Sequence, residues 1–201
     1  MAAIYDRMLA ASEEAGFRDM RRDVVSGARG KTLELGAGTG LNFAHYGPEV
    51  TELVLLEPDP HMAAKLREKV EATDRVDVRI VSDSAERLPF ADASFDTVVG
   101  TLVLCTIPDH ERAIAEVARV LRPGGRLLFL EHVRSGDPGV AKWQDRLRPV
   151  WAFVAGGCQC NRDTLSALQD SPLDVADARR GRIPKAAKIV RPTIAGAATK
   201  P

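Results

Sequence analysis

Net charge is the first thing this chain lacks: lysine plus arginine and aspartate plus glutamate balance at 28 each, so the formal charge is zero. A nucleic-acid binder normally carries a basic excess, and no basic track or such partner is evident here. Long apolar runs are missing too, none approaching the roughly 20 residues of a membrane span. The opening stretch holds Asp6 and Arg7 where a secretory signal would be unbroken and apolar, so the expected location is cytoplasmic. Cysteine is scarce and odd in number. Cys105, Cys158 and Cys160 contain no C-x-x-C pair, which argues against a disulfide framework and a structural zinc site. Cys158-Gln159-Cys160 has no matching His/Cys pair, so no metal is expected. Internal repeats and low-complexity linkers are absent. The 201 residues suffice for one domain with a full core.

What is present is a regular alternation organised around Glu34-Leu35-Gly36-Ala37-Gly38-Thr39-Gly40. Lys31 to Leu35 reads as a short buried strand, and Leu41, Asn42 and Phe43 read as the opening of a helix. Glycines at that junction let the backbone turn sharply and let a ligand come close to it. A helical stretch, residues 4–27, precedes the strand as either a lid or packing. Further strands are expected over 51–56, 76–81, 97–101 and 126–130. Asp59-Pro60 opens one helix, with an acceptor at the N-cap and proline at the first position. Asp109 caps another, where Ile114, Val117, Ala118 and Leu121 fall on one face until Pro123-Gly124-Gly125 stops it. Helical patterns over 140–154 and 163–169 follow, then strand candidates 173–178 and 189–197, close enough to pair as an antiparallel hairpin. Strand–helix alternation of this kind means parallel β-α-β units in a doubly wound α/β sheet.

In such sheets ligands bind beyond the carboxyl ends of the strands. Those ends deliver Gly36, Glu57, Asp83-Ser84, Thr101-Leu102 and Glu131-His132 to one edge. Glu57 stands 21 positions after Gly36, the spacing at which a carboxylate accepts ribose hydroxyls. Asp83 or Ser84 is placed to accept from an adenine amino group.

Several pieces together resemble the class I S-adenosylmethionine (SAM) methyltransferases: Glu34 to Gly40, Glu57-Pro58-Asp59, Ala85 to Phe90, Ser94-Phe95-Asp96 and Val120 to Gly125. Within them the chain is most similar to the ubiquinone-biosynthesis-type branch. Thr101 to Cys105, Glu131-His132-Val133, Trp143-Gln144, Pro149-Val150-Trp151 and Gly157-Cys158 look like the methyltransferase-like proteins that methylate alkyl thiols. Those relatives carry an N-terminal membrane anchor that residues 1–11 do not repeat. The resemblance implies a Rossmann-like seven-stranded sheet of order 3-2-1-4-5-7-6, with the last strand antiparallel. It implies one domain over 1–201, with 1–30 a leading helical segment and 134–170 a substrate-side insertion. SAM is the implied cofactor, held by Glu34, Gly36, Ala37, Gly38, Gly40, Glu57, Pro58, Asp83, Ser84, Ala85, Thr101 and Leu102.

Methyl transfer from a sulfonium is an in-line displacement in which positioning does most of the work. A base can help an acceptor shed its proton. His132 is the candidate by chemistry and Glu131 the second, the alternative for each being a structural part at the strand end. The expected acceptor is a small lipophilic thiol, with a lipid amine, quinol or other small molecule as the alternative. Trp143, Leu147, Val150, Trp151 and Phe153 are expected to line its apolar pocket. A nicotinamide enzyme is disfavoured because Leu41 stands where the dinucleotide fingerprint needs its last glycine. A non-catalytic SAM-binding scaffold is the other reading, since fold does not decide function.

Overall fold

The computed structural model describes residues 9–75 and 77–201; residues 4–8 of the expected leading helix and Val76 of the expected third strand lie outside them. The leading helix starts by residue 9 and passes through a π-helical turn, Glu13–Phe17, into α1, Arg18–Val25. Gly16 takes φ +117 inside that turn, a value side chains resist, and so bends the helix there. The sheet then opens with β1, Gly30–Leu35, and β2, Val50–Leu56. Between them no α-helix forms. Only a 3-10 turn, Phe43–His45, stands where the sequence suggested a longer helix from Leu41. The reason lies inward: Asn42 and Tyr46 turn their side chains onto Glu34, and Gly47-Pro48 then ends any continuation.

Helix α2, Pro60–Glu71, starts as expected, Asp59 accepting from the backbone of His61 and Met62. Strands β3, Val78–Val81, and β4, Phe95–Thr101, follow. Helix α3, His110–Val120, is capped by Asp109 and ends directly in β5, Leu121–His132. The Arg122–Gly125 stretch bulges out of the β4–β5 ladder, whose pairing jumps from Leu121 to Arg126. Helix α4, Pro138–Val154, and the short α5, Thr164–Gln169, precede β6, Asp174–Arg182, and β7, Pro192–Thr199.

The strand order is β3-β2-β1-β4-β5-β7-β6. Strands β1 to β5 pair in parallel, while β7 runs antiparallel to both β5 and β6. The closing hairpin is thus as expected, but β6 extends to Arg182, because an exposed edge strand reading Ala178-Arg179-Arg180-Gly181-Arg182 carries no apolar alternation to reveal it. Apolar residues fill both faces of the sheet. On one, Val25 of α1 and Leu66 of α2 pack over Leu53, Leu55 and Val99. On the other, Ile114 and Val117 of α3 pack with Leu33, Val54, Val98 and Phe129.

Gly196 sits where β7 crosses Ala178 of β6, and a Cβ there would stand 1.8 Å from the Asp177 carbonyl oxygen. Backbone cannot yield as a side-chain tip can. Gly196→Ala is expected to lower unfolding free energy by about 1–3 kcal/mol in urea titrations, as overpacking does. A change below that range would mean the hairpin shifts freely.

Candidate active site

The strand order reverses between β1 and β4, and the crevice beyond their carboxyl ends is where open α/β sheets bind ligands. Gly36, Gly38 and Gly40 all sit there with positive φ, at 55, 59 and 79°. Their surroundings differ. A Cβ on Gly36 would press to 2.5 Å from Val103 Cγ2, and one on Gly40 to 2.8 Å from Leu66 Cδ1. On Gly38 the nearest atom would be Met62 Sδ at 3.7 Å. Two glycines are therefore required by the protein's own packing, and Gly38 alone keeps its backbone open to the crevice.

Glu57, at the end of β2, grips that loop. One carboxylate oxygen accepts from the Gly38 N–H at 2.7 Å and the other from the Asp59 N–H at 2.8 Å. Burial raises its pKa, and these two backbone bonds pull it back down. Each oxygen retains a second lone pair, so the acid can hold the glycine loop and still accept from a ligand hydroxyl. Ala37 donates its N–H to the Leu56 carbonyl at 3.0 Å, fixing the loop to β2 a second time. Pro58 is exposed beside it, and Ala85 is buried behind the β3 loop. In that loop the Ser84 hydroxyl is turned onto Glu86 at 2.9 Å, while Asp83 Oδ1 accepts from the Ser84 N–H.

Beneath the loop lies a buried polar network that sequence patterns did not disclose. Glu34 accepts from Asn42 Nδ2 at 2.8 Å and from the Tyr46 hydroxyl at 2.7 Å. Arg21 Nη1 donates to Asn42 Oδ1 and to Thr101 Oγ1, at 3.0 and 2.9 Å, and Nη2 donates to Glu13 at 2.8 Å. Asn42 also donates to Thr101, at 2.9 Å. The guanidinium further stacks over Phe17, 4.9 Å from its ring centre. The leading helix, the glycine loop and the end of β4 thus meet on one cation. Burial pushes Glu34 up to about 7 despite the two donors and Arg21.

At the end of β4, Leu102 takes φ +53 and donates its N–H to the Leu130 carbonyl at 2.8 Å. The following turn is held by Glu131, which is fully buried and accepts from the N–H groups of Val103, Leu104 and Cys105 at 3.0, 3.0 and 3.3 Å. Its carboxylate serves the backbone of its own chain, and burial raises its pKa to about 7 against the pull of those donors. His132 is buried too. It bonds the Val190 carbonyl, its Nδ1 has no protein partner, and burial lowers its pKa to about 4. Cys105 in this turn lies 3.7 Å, sulfur to sulfur, from Cys158, and the Gln159 N–H donates to the Cys105 carbonyl.

Of the five residues expected to line the acceptor pocket, Leu147 and Trp151 are half-buried and the other three face outward. In α4 the buried face is Ala141 and Gln144, whereas Trp143, Val150 and Phe153 are 54, 65 and 89% exposed. Gln144 decides this orientation. Its amide donates to the carbonyls of Val133, Cys160 and Ile189 and accepts from the Ser135 N–H, so a polar clamp rather than an apolar stripe docks the helix.

A family model described as a methyltransferase domain matches residues 33–129. Thiol S-methyltransferase TMT1A of Homo sapiens is 32% identical over 200 residues, covering 98% of this chain and 82% of that protein. The chain belongs to the SAM-dependent methyltransferases. A phosphatidylethanolamine N-methyltransferase of Cereibacter sphaeroides is 34% identical over 131 residues, 65% of this chain and 64% of that one. The crystal structure of YcgJ from Bacillus subtilis shares the fold, with a TM-score of 0.73 at 18% identity, over 90% of this chain and 98% of that one. SAM is therefore the cofactor, and the crevice fits it: an open glycine backbone at Gly38 and an oriented acid at Glu57.

The Glu34 network makes a pH-dependent contribution to stability. In the unfolded chain Glu34 ionises near its ordinary 4.5, but in the folded chain only near 7. Stability from this group is complete below 4.5 and falls as pH rises through 7. In denaturant titrations across that window, Glu34→Gln should gain on the wild type with rising pH. A constant difference between the two would show that Glu34 ionises normally.

Proposed function

We propose that this methyltransferase transfers a methyl group to the sulfur of a small lipophilic thiol. The observation that carries the reading is that neither candidate base is well placed to take a proton, one being occupied by backbone and the other made a weak base by burial. Glu131 holds three backbone N–H groups, and His132 is buried with its pKa near 4. An amine needs a base to strip its proton near neutral pH. A thiol, with pKa near 8.5, is already a few per cent thiolate there and needs none. The printed activity of the human relative, thiol S-methylation, supports the same acceptor. The relative named for phosphatidylethanolamine keeps a lipid amine as the second reading.

When bound, SAM supplies a sulfonium methyl group for in-line displacement. In this reading Gly38 leaves room for the cofactor's main chain, while Gly36, Ala37 and Gly40 shape the loop around it. Glu57 accepts from the ribose, beside Pro58. Asp83 is preferred over Ser84 at the adenine, because the serine hydroxyl is already spent on Glu86, with Ala85 packing below. Glu34, Thr101 and Leu102 form the floor beneath the methionine end. His132 and Glu131 become positioning residues for the β4 turn and the closing hairpin. The chain is read as one domain over 1–201, with the described part of its leading segment packed on the site through Arg21 and 134–170 on the acceptor side. No helix among the described residues is long and apolar enough to cross a membrane. Three free cysteine thiols agree with a cytoplasmic setting.

Transfer from labelled SAM to a panel of alkyl thiols, phenols and lipid amines tests the acceptor, run for wild type and His132→Ala. Thiol turnover is expected in both, with a pH profile that follows the thiol's own ionisation. Turnover confined to amines or phenols and lost with His132 would overturn the reading.

The cofactor placement is tested by calorimetry. Gly38→Val should abolish SAM binding, and Glu57→Ala should weaken it by about 1.5–3 kcal/mol as charge-assisted bonds are lost. Wild-type affinity in both would refute it.

A further inference from the structure

The formal neutrality of the chain conceals a strong segregation of charge. From residue 178 to the end there are seven cations and no acid. Arg179, Arg180 and Arg182 lie exposed on β6, and Lys185 and Lys188 lie exposed on the connection to β7. Because β6 runs in the same direction as β5, that connection stands at the carboxyl edge of the sheet, the edge that carries the cofactor crevice. Helix α4 meets it there, through the Gln144 amide on the Ile189 carbonyl at 2.8 Å.

On its outward side α4 carries Trp143, Leu147, Val150 and Val154 at i, i+4, i+7 and i+11, one stripe down the helix, with Phe153 beside it. Phe153 is 89% exposed and Val150 65%. Cations flank the stripe on one side, Lys142 and Arg146, both exposed. Arg146 lies 5.5 Å from the Trp143 ring, covering an aromatic anchor with a charge. The helix's one acid, Asp145, is bound to Arg134 at 2.8 Å, so it does not offset them at the surface. An apolar and aromatic stripe with a basic flank is the pattern of helices that lie in the headgroup plane of a bilayer.

We propose that α4, together with the basic β6–β7 connection, docks this methyltransferase onto the surface of an anionic lipid bilayer. The apolar stripe enters the acyl boundary while the cations meet the headgroups. Nucleic acid would use the cations but leave exposed Trp143, Val150 and Phe153 without a role, so a lipid surface accounts for more of the patch. Docked this way, the chain presents its carboxyl edge to the membrane, and a lipophilic acceptor reaches the crevice from the bilayer rather than from water.

The test is co-sedimentation with large unilamellar vesicles of phosphatidylcholine, with and without phosphatidylglycerol. Binding is expected on the anionic vesicles, weakening with salt, with a blue shift of Trp143 fluorescence in a Trp151→Phe background. The double substitution Trp143→Glu, Phe153→Glu should lower the partition coefficient at least about tenfold, and Lys185→Glu, Lys188→Glu on the separate element should do likewise. Both pairs should keep the thermal midpoint and SAM affinity of the wild type, since the four side chains are exposed and outside the crevice. Three results would overturn the proposal: no partition onto anionic vesicles, partition indifferent to both pairs, or a lipid-free dimer dissolved by the α4 pair. Binding to an oligonucleotide that vesicles fail to displace would assign the cations to nucleic acid instead.

Discussion

One buried guanidinium joins the parts of this molecule that surround its cofactor crevice. Arg21 reaches Glu13 within its own helix, Asn42 in the glycine loop and Thr101 at the end of β4. Buried ion pairs add little to stability when compared with apolar substitutes, but a member left alone in the interior is strongly destabilising. The consequence is mutual dependence. The leading helix keeps its place because the sheet edge offers oxygen atoms, and the sheet edge keeps Asn42 turned inward because the helix offers a cation.

A second economy of design concerns carboxylates that serve backbone. Glu57 and Glu131 stand at the carboxyl ends of β2 and β5, and between them they take five N–H groups from the turns that follow β1, β2 and β4. These turns have too few residues for regular structure, so their N–H groups have no ladder to join. The acids satisfy them and hold the crevice in one shape. Acidic residues at the strand ends of this sheet thus stand in for the missing ladder partners of the turns beyond them.

The fold was legible to a high degree, and for identifiable reasons. Apolar runs of four to seven residues, Asp59-Pro60 and Asp109 as helix starts, and glycine at the β1 turn each report local chemistry that survives in the folded chain. What escaped was set by contacts distant in sequence. Arg21, Asn42 and Tyr46 look like ordinary surface residues until Glu34 collects Asn42 and Tyr46, and Arg21 closes on Asn42. The α4 stripe was read as a pocket wall, because periodicity tells which residues share a face but not which way the face points. Gln144, a single polar residue on the opposite face, settled that. His132 was nominated by its chemistry and Glu131 by standing beside it at a strand end, whereas burial and hydrogen-bond partners, which bear on such a role, are set by the fold.

Leu102 carries a consequence of its own. A branched side chain in the left-handed region costs on the order of 1–2 kcal/mol, and glycine would sit there without strain. Leucine holds the position because its side chain packs against the cluster of Phe17, Leu130 and Ile183, so the strained turn is kept in shape by its neighbours rather than by its own backbone preference. Drift to glycine at 102 would relieve the strain and surrender that hold. The route by which this crevice can lose its definition therefore runs through a residue that local energetics alone would favour.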